Sequence, residues 1–286
     1  SSDLFRPRWL LSKGRLKECR KVLQKIEPEN TVNDLIGQME VEIEKDRNSA
    51  VGWRYLMQPW LRTPLMIAVC IMFFQQFVGI NTVIYYSPKI FLMAGFESTL
   101  SAIWASVGIG IVNVVFTVIS LYLVDRIGRR KLYFIGLSGI AFSVLCLSAC
   151  FIYANQLGEI GRWLMVIFMF GYVAFFAISI GPLGWLVISE IFPQKVRGLG
   201  TSIGSLAVWI FNCIVSFTFF KIIDFFSIPG TEIVVGQTTS ENPAGAFFLY
   251  GFIAVLGLVW GYLFLPETKG LSLEEIEQKW RKNREC

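Results

Sequence analysis

Two glutamines, an asparagine and two tyrosines crowd into residues 75–88, QQFVGINTVIYYSP, late in an apolar run that starts at residue 64. Amides and phenols both donate and accept hydrogen bonds, so Gln75, Gln76, Asn81, Tyr85 and Tyr86 suit a ligand covered in hydroxyl groups. Hydrocarbon solvates none of these groups, and at membrane depth such side chains face a protein interior or a water-filled cavity. On an unbroken helix, at about 100° per residue, Gln76 and Asn81 lie roughly 140° apart. A distortion between them brings both to one cavity, and Gly79 makes that distortion cheap. The plainer alternative is that these amides bond neighbouring helices. Clustering of five such residues around a glycine favours a cavity lined by a discontinuous helix.

A single span does not surround a ligand. Asn113 lies midway along a second apolar run, soon after Gly108 and Gly110. In a fourth run, FFAISIGPLGW places Gly181, Pro182 and Gly184 inside apolar sequence, where the missing N–H of proline predicts a bend. Phe176 and Trp185 flank that bend, and Trp209 and Asn212 in a fifth run complete a candidate wall. An indole offers a flat apolar face for C–H groups and one N–H donor. Ordinary packing explains any one of these aromatics; their pairing with bent helices is what suggests a site.

The elements that must carry these residues are membrane helices. The 286 residues are 54% apolar and 15% aromatic with mean hydropathy +0.57, which indicates a lipid-embedded chain. Six runs of bilayer length fall at 64–93, 98–124, 132–153, 163–189, 200–226 and 244–265. The expected fold class is an all-α membrane protein. Its divisions are a cytoplasmic helical segment over 1–60, a six-span half-bundle over 61–265 and a cytoplasmic tail over 266–286. In the first segment, Leu16, Cys19, Leu23 and Ile26 predict one amphipathic stripe. Val32, Leu35, Ile36, Met39 and Ile43 predict another, on a helix that Asn30 or Thr31 can cap. Small residues four apart, Ser106/Gly110, Gly200/Gly204 and Gly257/Gly261, predict close helix contacts.

Charge gives the orientation. The leader, the second and fourth connections and the tail are rich in Lys and Arg. The first and fifth connections have none and the third only Arg162. This alternation places both termini in the cytoplasm. It also explains the net charge of +5 without a nucleic-acid partner. Histidine is absent, and the six cysteines form no CxxC pair, so neither a zinc site nor a disulfide framework is read here. With no nucleophile elbow and no phosphate-cradling loop, an enzyme finds no support, and no cofactor is expected.

Each even-numbered span leaves the membrane with an acid followed by a base: DRIGRRK, SEIFPQKVRG and PETKG. An acid at a helix C-terminus opposes the macrodipole by roughly 0.3–1 kcal/mol. Three such acids make sense if each meets an arginine of a neighbouring helix, closing the cytoplasmic mouth until the pairs part.

With RPRWLLSKGR, QQFVGINTVIYYSP, DRIGRRK, GPLGWLVISEIFPQKVRG and PETKGLSLEEIE in this order, the chain resembles the C-terminal half of a sugar porter of the major facilitator superfamily. The resemblance implies transport of a monosaccharide or polyol by alternating access, as uniport or proton symport. It implies that Gln75, Gln76, Asn81 and Asn113 bond sugar hydroxyls while Phe176 and Trp185 cover the sugar near the GP bend. Tyr85 and Tyr86 would close the outer side, and Arg8, Asp125, Arg129, Arg130, Glu190 and Arg197 would form the cytoplasmic lock. LFRPRWL departs from the family's PESPRWL, which weakens the case for Arg8. Ala177 replaces the glutamate of glucose facilitators, and Val208 replaces a common amide, which leaves pentose, hexose and cyclic polyol open. Full members have twelve spans, so the other wall of the cavity is expected in an N-terminal half, from the same longer chain or a separate polypeptide, and this chain alone is not expected to transport. A non-transporting sugar sensor on the same fold is the alternative; the short sequence after Pro266 favours transport.

Overall fold

A computed structural model of the chain describes residues 7–25, 28–48, 56–96, 98–193, 195–227, 233–235 and 238–270. Residue contacts divide the chain into Ser1–Tyr55 and Leu56–Cys286.

In the first unit, α1 (Pro7–Ser12), α2 (Leu16–Leu23) and α3 (Glu29–Asn48) contact one another. Their core holds Leu10, Leu11, Cys19, Leu23, Val32 and Ile36. Leu16, expected on the α2 stripe, is 41% exposed, and α1 supplies Leu10 and Leu11 to the core instead. Helix α3 starts at Glu29, before either residue expected to cap it. Ile26, and the side chains of Arg8 and Ile43, lie outside the described residues.

The second unit contains, among the described residues, six segments long and apolar enough to cross a membrane. After a 3-10 turn at Pro59–Leu61, the first is α4 (Arg62–Phe77) followed by α5 (Ile80–Met93). Helices α6 (Thr99–Ile127) and α7 (Arg129–Ile152) are the second and third, and α8 (Ala154–Ile178) with α9 (Ile180–Ile191) forms the fourth. Helices α10 (Arg197–Phe225) and α11 (Ala244–Phe264) complete the set. The third connection, expected to run over several residues, is helical from Ala154 onward with a kink at Gly158. In the fifth connection β1 (Ile233–Val235) pairs antiparallel with β2 (Thr238–Ser240). This small ribbon, rich in β-branched residues, lies in a connection, and the bundle itself is the all-α membrane fold expected.

Helix α7 packs mainly on α11 and α8, α6 on α8 and α5, and α10 on α4. A Cβ on Gly200 would come 2.4 Å from the Phe192 ring, and one on Gly204 2.6 Å from Ile188, so this small-residue pair does make a close contact. Gly110 faces open space, and on α6 the tight approach is Gly108 against Phe170. Only 11% of the apolar window of α6 is buried, against 67% for the first span. Its outer face, with Trp104, Ile111 and Val114, therefore needs a hydrocarbon or protein cover.

At the basic end of the bundle α6 turns directly into α7 through Gly128, whose φ of +94° a side chain would strain. The N–H groups of Arg129 and Arg130, unsatisfied within α7, donate to the two carboxylate oxygens of Glu267 at 3.0 and 3.1 Å. The same carboxylate accepts from the N–H groups of Thr268 and Lys269. This corrects the expectation that every acid leaving an even-numbered span meets an arginine side chain. Glu267 meets the positive end of another helix, where a carboxylate is favoured. Replacing it by alanine strips both caps, and Glu267→Ala is expected to lower stability by about 1–2 kcal/mol. Thermal unfolding of purified protein in detergent checks this, and an unchanged midpoint speaks against the cap.

Candidate functional site

The first span breaks where the amides need it to break. Val78 ends α4, and Gly79 enters α5 with φ +89°, in the left-handed region. A Cβ there would also lie 2.3 Å from the Tyr250 ring, so conformation and space both call for glycine. Across the break, Asn81 Nδ2 donates to Gln76 Oε1 at 2.6 Å. Gln76 Nε2 donates in turn to Gln75 Oε1 at 3.2 Å, and Gln75 Nε2 donates to the carbonyls of Ile180 (3.1 Å) and Gly181 (2.7 Å). Three amides thus connect the broken first span to the broken fourth.

The chain of bonds has one direction. Ile180 and Gly181 present only acceptors, so Gln75 turns its NH2 toward them and its oxygen toward Gln76, which orders Gln76 and then Asn81. Gly184 leaves the necessary room, since a Cβ at that position would lie 2.9 Å from Gln75 Nε2. Gln75 and Gln76 are 3% and 5% exposed, and an unbonded buried amide would cost about 1–3 kcal/mol.

The fourth span breaks three residues earlier than the proline predicted. The non-helical residue is Ser179 (φ −126°, ψ −105°), whose hydroxyl donates to Phe175 O at 2.6 Å. Such a bond back to the preceding turn competes with the helix ladder. Pro182 sits in the first turn of α9, where a backbone N–H has no helical acceptor anyway, so it begins the new helix rather than bending the old one.

Between these helices opens a cavity of about 400 Å³, within the usual span of small-molecule sites. Gln75, Gln76, Asn81, Tyr85, Asn113 and Asn212 reach it with polar groups, while Phe176, Gly181, Trp185 and Trp209 supply apolar surface. The two indoles are 42% and 66% exposed, so their faces are open to a ligand. Ala177 and Val208 also line the wall, as do Ile80, Ile84 and Thr117, which sequence reasoning passed over. Thr117 was within reach, because it stands four residues after Asn113 on the same face of α6, where its hydroxyl donates to Asn113 O at 2.7 Å. Among the described residues, no lining side chain carries a formal charge.

The two tyrosines part company. Tyr85 faces the cavity, and its hydroxyl lies 3.4 Å from Asn212 Nδ2. Tyr86 turns to α10, where it stacks on Phe219 at 5.4 Å and meets Phe220 edge-on at 4.8 Å. At the basic end the structure brings together Asp125, Arg129 and Glu190. Arg129 bonds Glu190 at 2.9 Å and approaches Asp125, which is 75% exposed, at 3.3 Å. Thr268 donates its hydroxyl to Glu190 as well. The guanidinium groups of Arg130 and Arg197, expected in the same lock, pair with no carboxylate among the described residues. Arg130 reaches the Tyr262 carbonyl at 2.8 Å, and Arg197 keeps Nε and one terminal nitrogen buried without a hydrogen bond.

Comparison with known proteins bears on this geometry. Residues 6–280 match the family described as "Sugar (and other) transporter". The D-xylose-proton symporter of Escherichia coli (strain K12) is 34% identical over 96% of this chain and 52% of its own length. Probable polyol transporter 3 of Arabidopsis thaliana is 33% identical over 95% of this chain and 54% of its own length. Among solved structures, the inward open conformation of the xylose transporter XylE from E. coli aligns with a TM-score of 0.69 at 30% identity, covering 96% of this chain and 51% of that one. The chain spans about half the length of the curated relatives it matches. Among the described residues, six segments long and apolar enough to cross a membrane, two of them broken around a cavity whose described lining is polar and uncharged, agree with that match, and this multi-pass membrane protein belongs to the sugar (and other) transporter family.

Proposed function

We propose that this chain is the sugar-binding half of a cell-membrane carrier, with both termini cytoplasmic, that moves a monosaccharide or related polyol by alternating access. The directed amide chain across two helix breaks carries the reading, because it offers hydroxyl-matched donors and acceptors on a cavity wall without charge. Trp185 and Trp209 give the apolar faces of a sugar ring somewhere to lie. A few hydrogen bonds of about 0.5–1.5 kcal/mol each suffice for the roughly −4 kcal/mol of millimolar affinity. Such weak binding lets a carrier release its cargo. The names of the xylose symporter and the polyol transporter support this cargo class.

The second wall comes from an N-terminal half, upstream in a longer chain or on a separate polypeptide. Among the described residues no carboxylate lines the cavity on this side, so where protons accompany the sugar the coupling carboxylate belongs to that other half. The Asp125–Arg129–Glu190 cluster holds the cytoplasmic mouth closed and separates when the mouth opens.

Uptake of a labelled sugar panel, comparing this chain with the gene extended upstream, tests the reading. Uptake by the longer product alone, competed by one sugar, is expected; uptake by this chain alone would remove the need for a second half. In the extended protein, Gln76→Ala or Asn81→Ala is expected to weaken sugar binding by roughly 3- to 30-fold. Wild-type affinity in both variants would place the sugar elsewhere. Glu190→Gln leaves Arg129 with the exposed Asp125 as its carboxylate partner. It is expected to raise labelling of V208C by an impermeant thiol reagent from the cytoplasmic side about fivefold, the factor that a pair worth about 1 kcal/mol supplies. Unchanged labelling counts against the lock.

A further inference from the structure

A break in a buried helix leaves backbone groups to satisfy and space to fill, and at Val78–Gly79 one tyrosine of another span bonds a carbonyl while a second fills the space. Tyr172 of α8, fully buried, donates its hydroxyl to the Val78 carbonyl at 2.9 Å. Tyr250 of α11, 2% exposed, lays its ring against Gly79 in the space where a Cβ would stand. Thr82 completes the joint, donating its hydroxyl to Gly79 O at 2.7 Å and lying 3.3 Å from the Tyr250 hydroxyl. Neither tyrosine lines the cavity.

The break controls the distance between Gln76 and Asn81, because it lies between them and their amides meet across it at 2.6 Å. We infer that Tyr172 and Tyr250 are positioning residues of the sugar site, holding the Val78–Gly79 joint so that the Gln76–Asn81 amide pair stays aimed into the cavity. Tyr172 secures the α4 side through its hydroxyl, and Tyr250 secures the α5 side through its ring. Tyr250 also stacks on Phe219 at 6.5 Å, and Phe219 stacks on Tyr86 at 5.4 Å. Ring contacts thus run from the joint to the aromatic cluster beside the middle of α5.

This inference rests on the proposed sugar site, and a built-in control separates it from ordinary stabilisation. Tyr133, fully buried, makes the same kind of bond away from the joint, its hydroxyl donating to Gly257 O at 2.9 Å. Tyr172→Phe and Tyr133→Phe each remove one hydroxyl and the bond it donates to a backbone carbonyl. Both lower thermal stability if the bonds only stabilise. In the protein extended upstream, sugar affinity measured on the monodisperse folded fraction is expected to fall about 5- to 30-fold in Tyr172→Phe and to stay at the wild-type value in Tyr133→Phe. Tyr250→Leu, which opens space beside Gly79, is expected to lose affinity to a similar degree. Wild-type affinity in Tyr172→Phe and Tyr250→Leu overturns the positioning role while leaving the sugar site standing, and so does an equal loss in Tyr133→Phe. A wild-type protein that binds no sugar of the panel overturns both.

Discussion

Backbone carbonyls accept and never donate, and the arrangement of the cavity follows from that constraint. Ile180 O and Gly181 O oblige Gln75 to face them with its NH2, which presents its oxygen to Gln76 and so orders Asn81. Low dielectric strengthens each of these bonds and makes an unpaired member costly, so the row of amides behaves as one unit. A ligand meets a fixed pattern of donors and acceptors instead of three side chains free to rotate. Preorganisation of this kind saves the entropy of ordering the site upon binding.

The two helix breaks differ in cause. At Gly79 the backbone takes a positive φ that glycine tolerates, and the Tyr250 ring fills the space of the absent side chain. At Ser179 a hydroxyl bonds the carbonyl one turn back. Gln75 ties them together, so movement of α5 or α9 must be felt by the amides between. Carriers that work by alternating access typically build their binding sites from discontinuous helices of this kind.

The basic end uses its acids in two ways. Glu190 holds Arg129 in a contact that is partly shielded from water, a pair that can part at modest cost. Glu267 instead closes the turn between α6 and α7 by accepting four backbone N–H groups, which makes it part of the frame. Sequence position suggested the same role for both, since each follows an even-numbered span.

Hydrophobic runs, the alternation of basic connections and the amide cluster around Gly79 were legible in the sequence, because each is a property of neighbouring residues. So were the amides of the cavity wall: polar groups inside apolar runs have few places to go except a shared interior. Thr117 was overlooked since a threonine in a helix usually bonds its own backbone, as this one does. What neighbouring residues do not determine is who meets whom. Pro182 announced a bend that Ser179 makes, because proline is harmless in the first turn of a helix and harmful only within one. Tyr85 and Tyr86, adjacent in sequence, serve a cavity and an aromatic cluster because successive residues point about 100° apart. Tyr172, Tyr250 and Glu267 owe their roles to backbone groups 94, 171 and 138 positions away, counting to Val78, Gly79 and Arg129. Composition and periodicity carry no trace of such partners, and only the packed bundle chooses them.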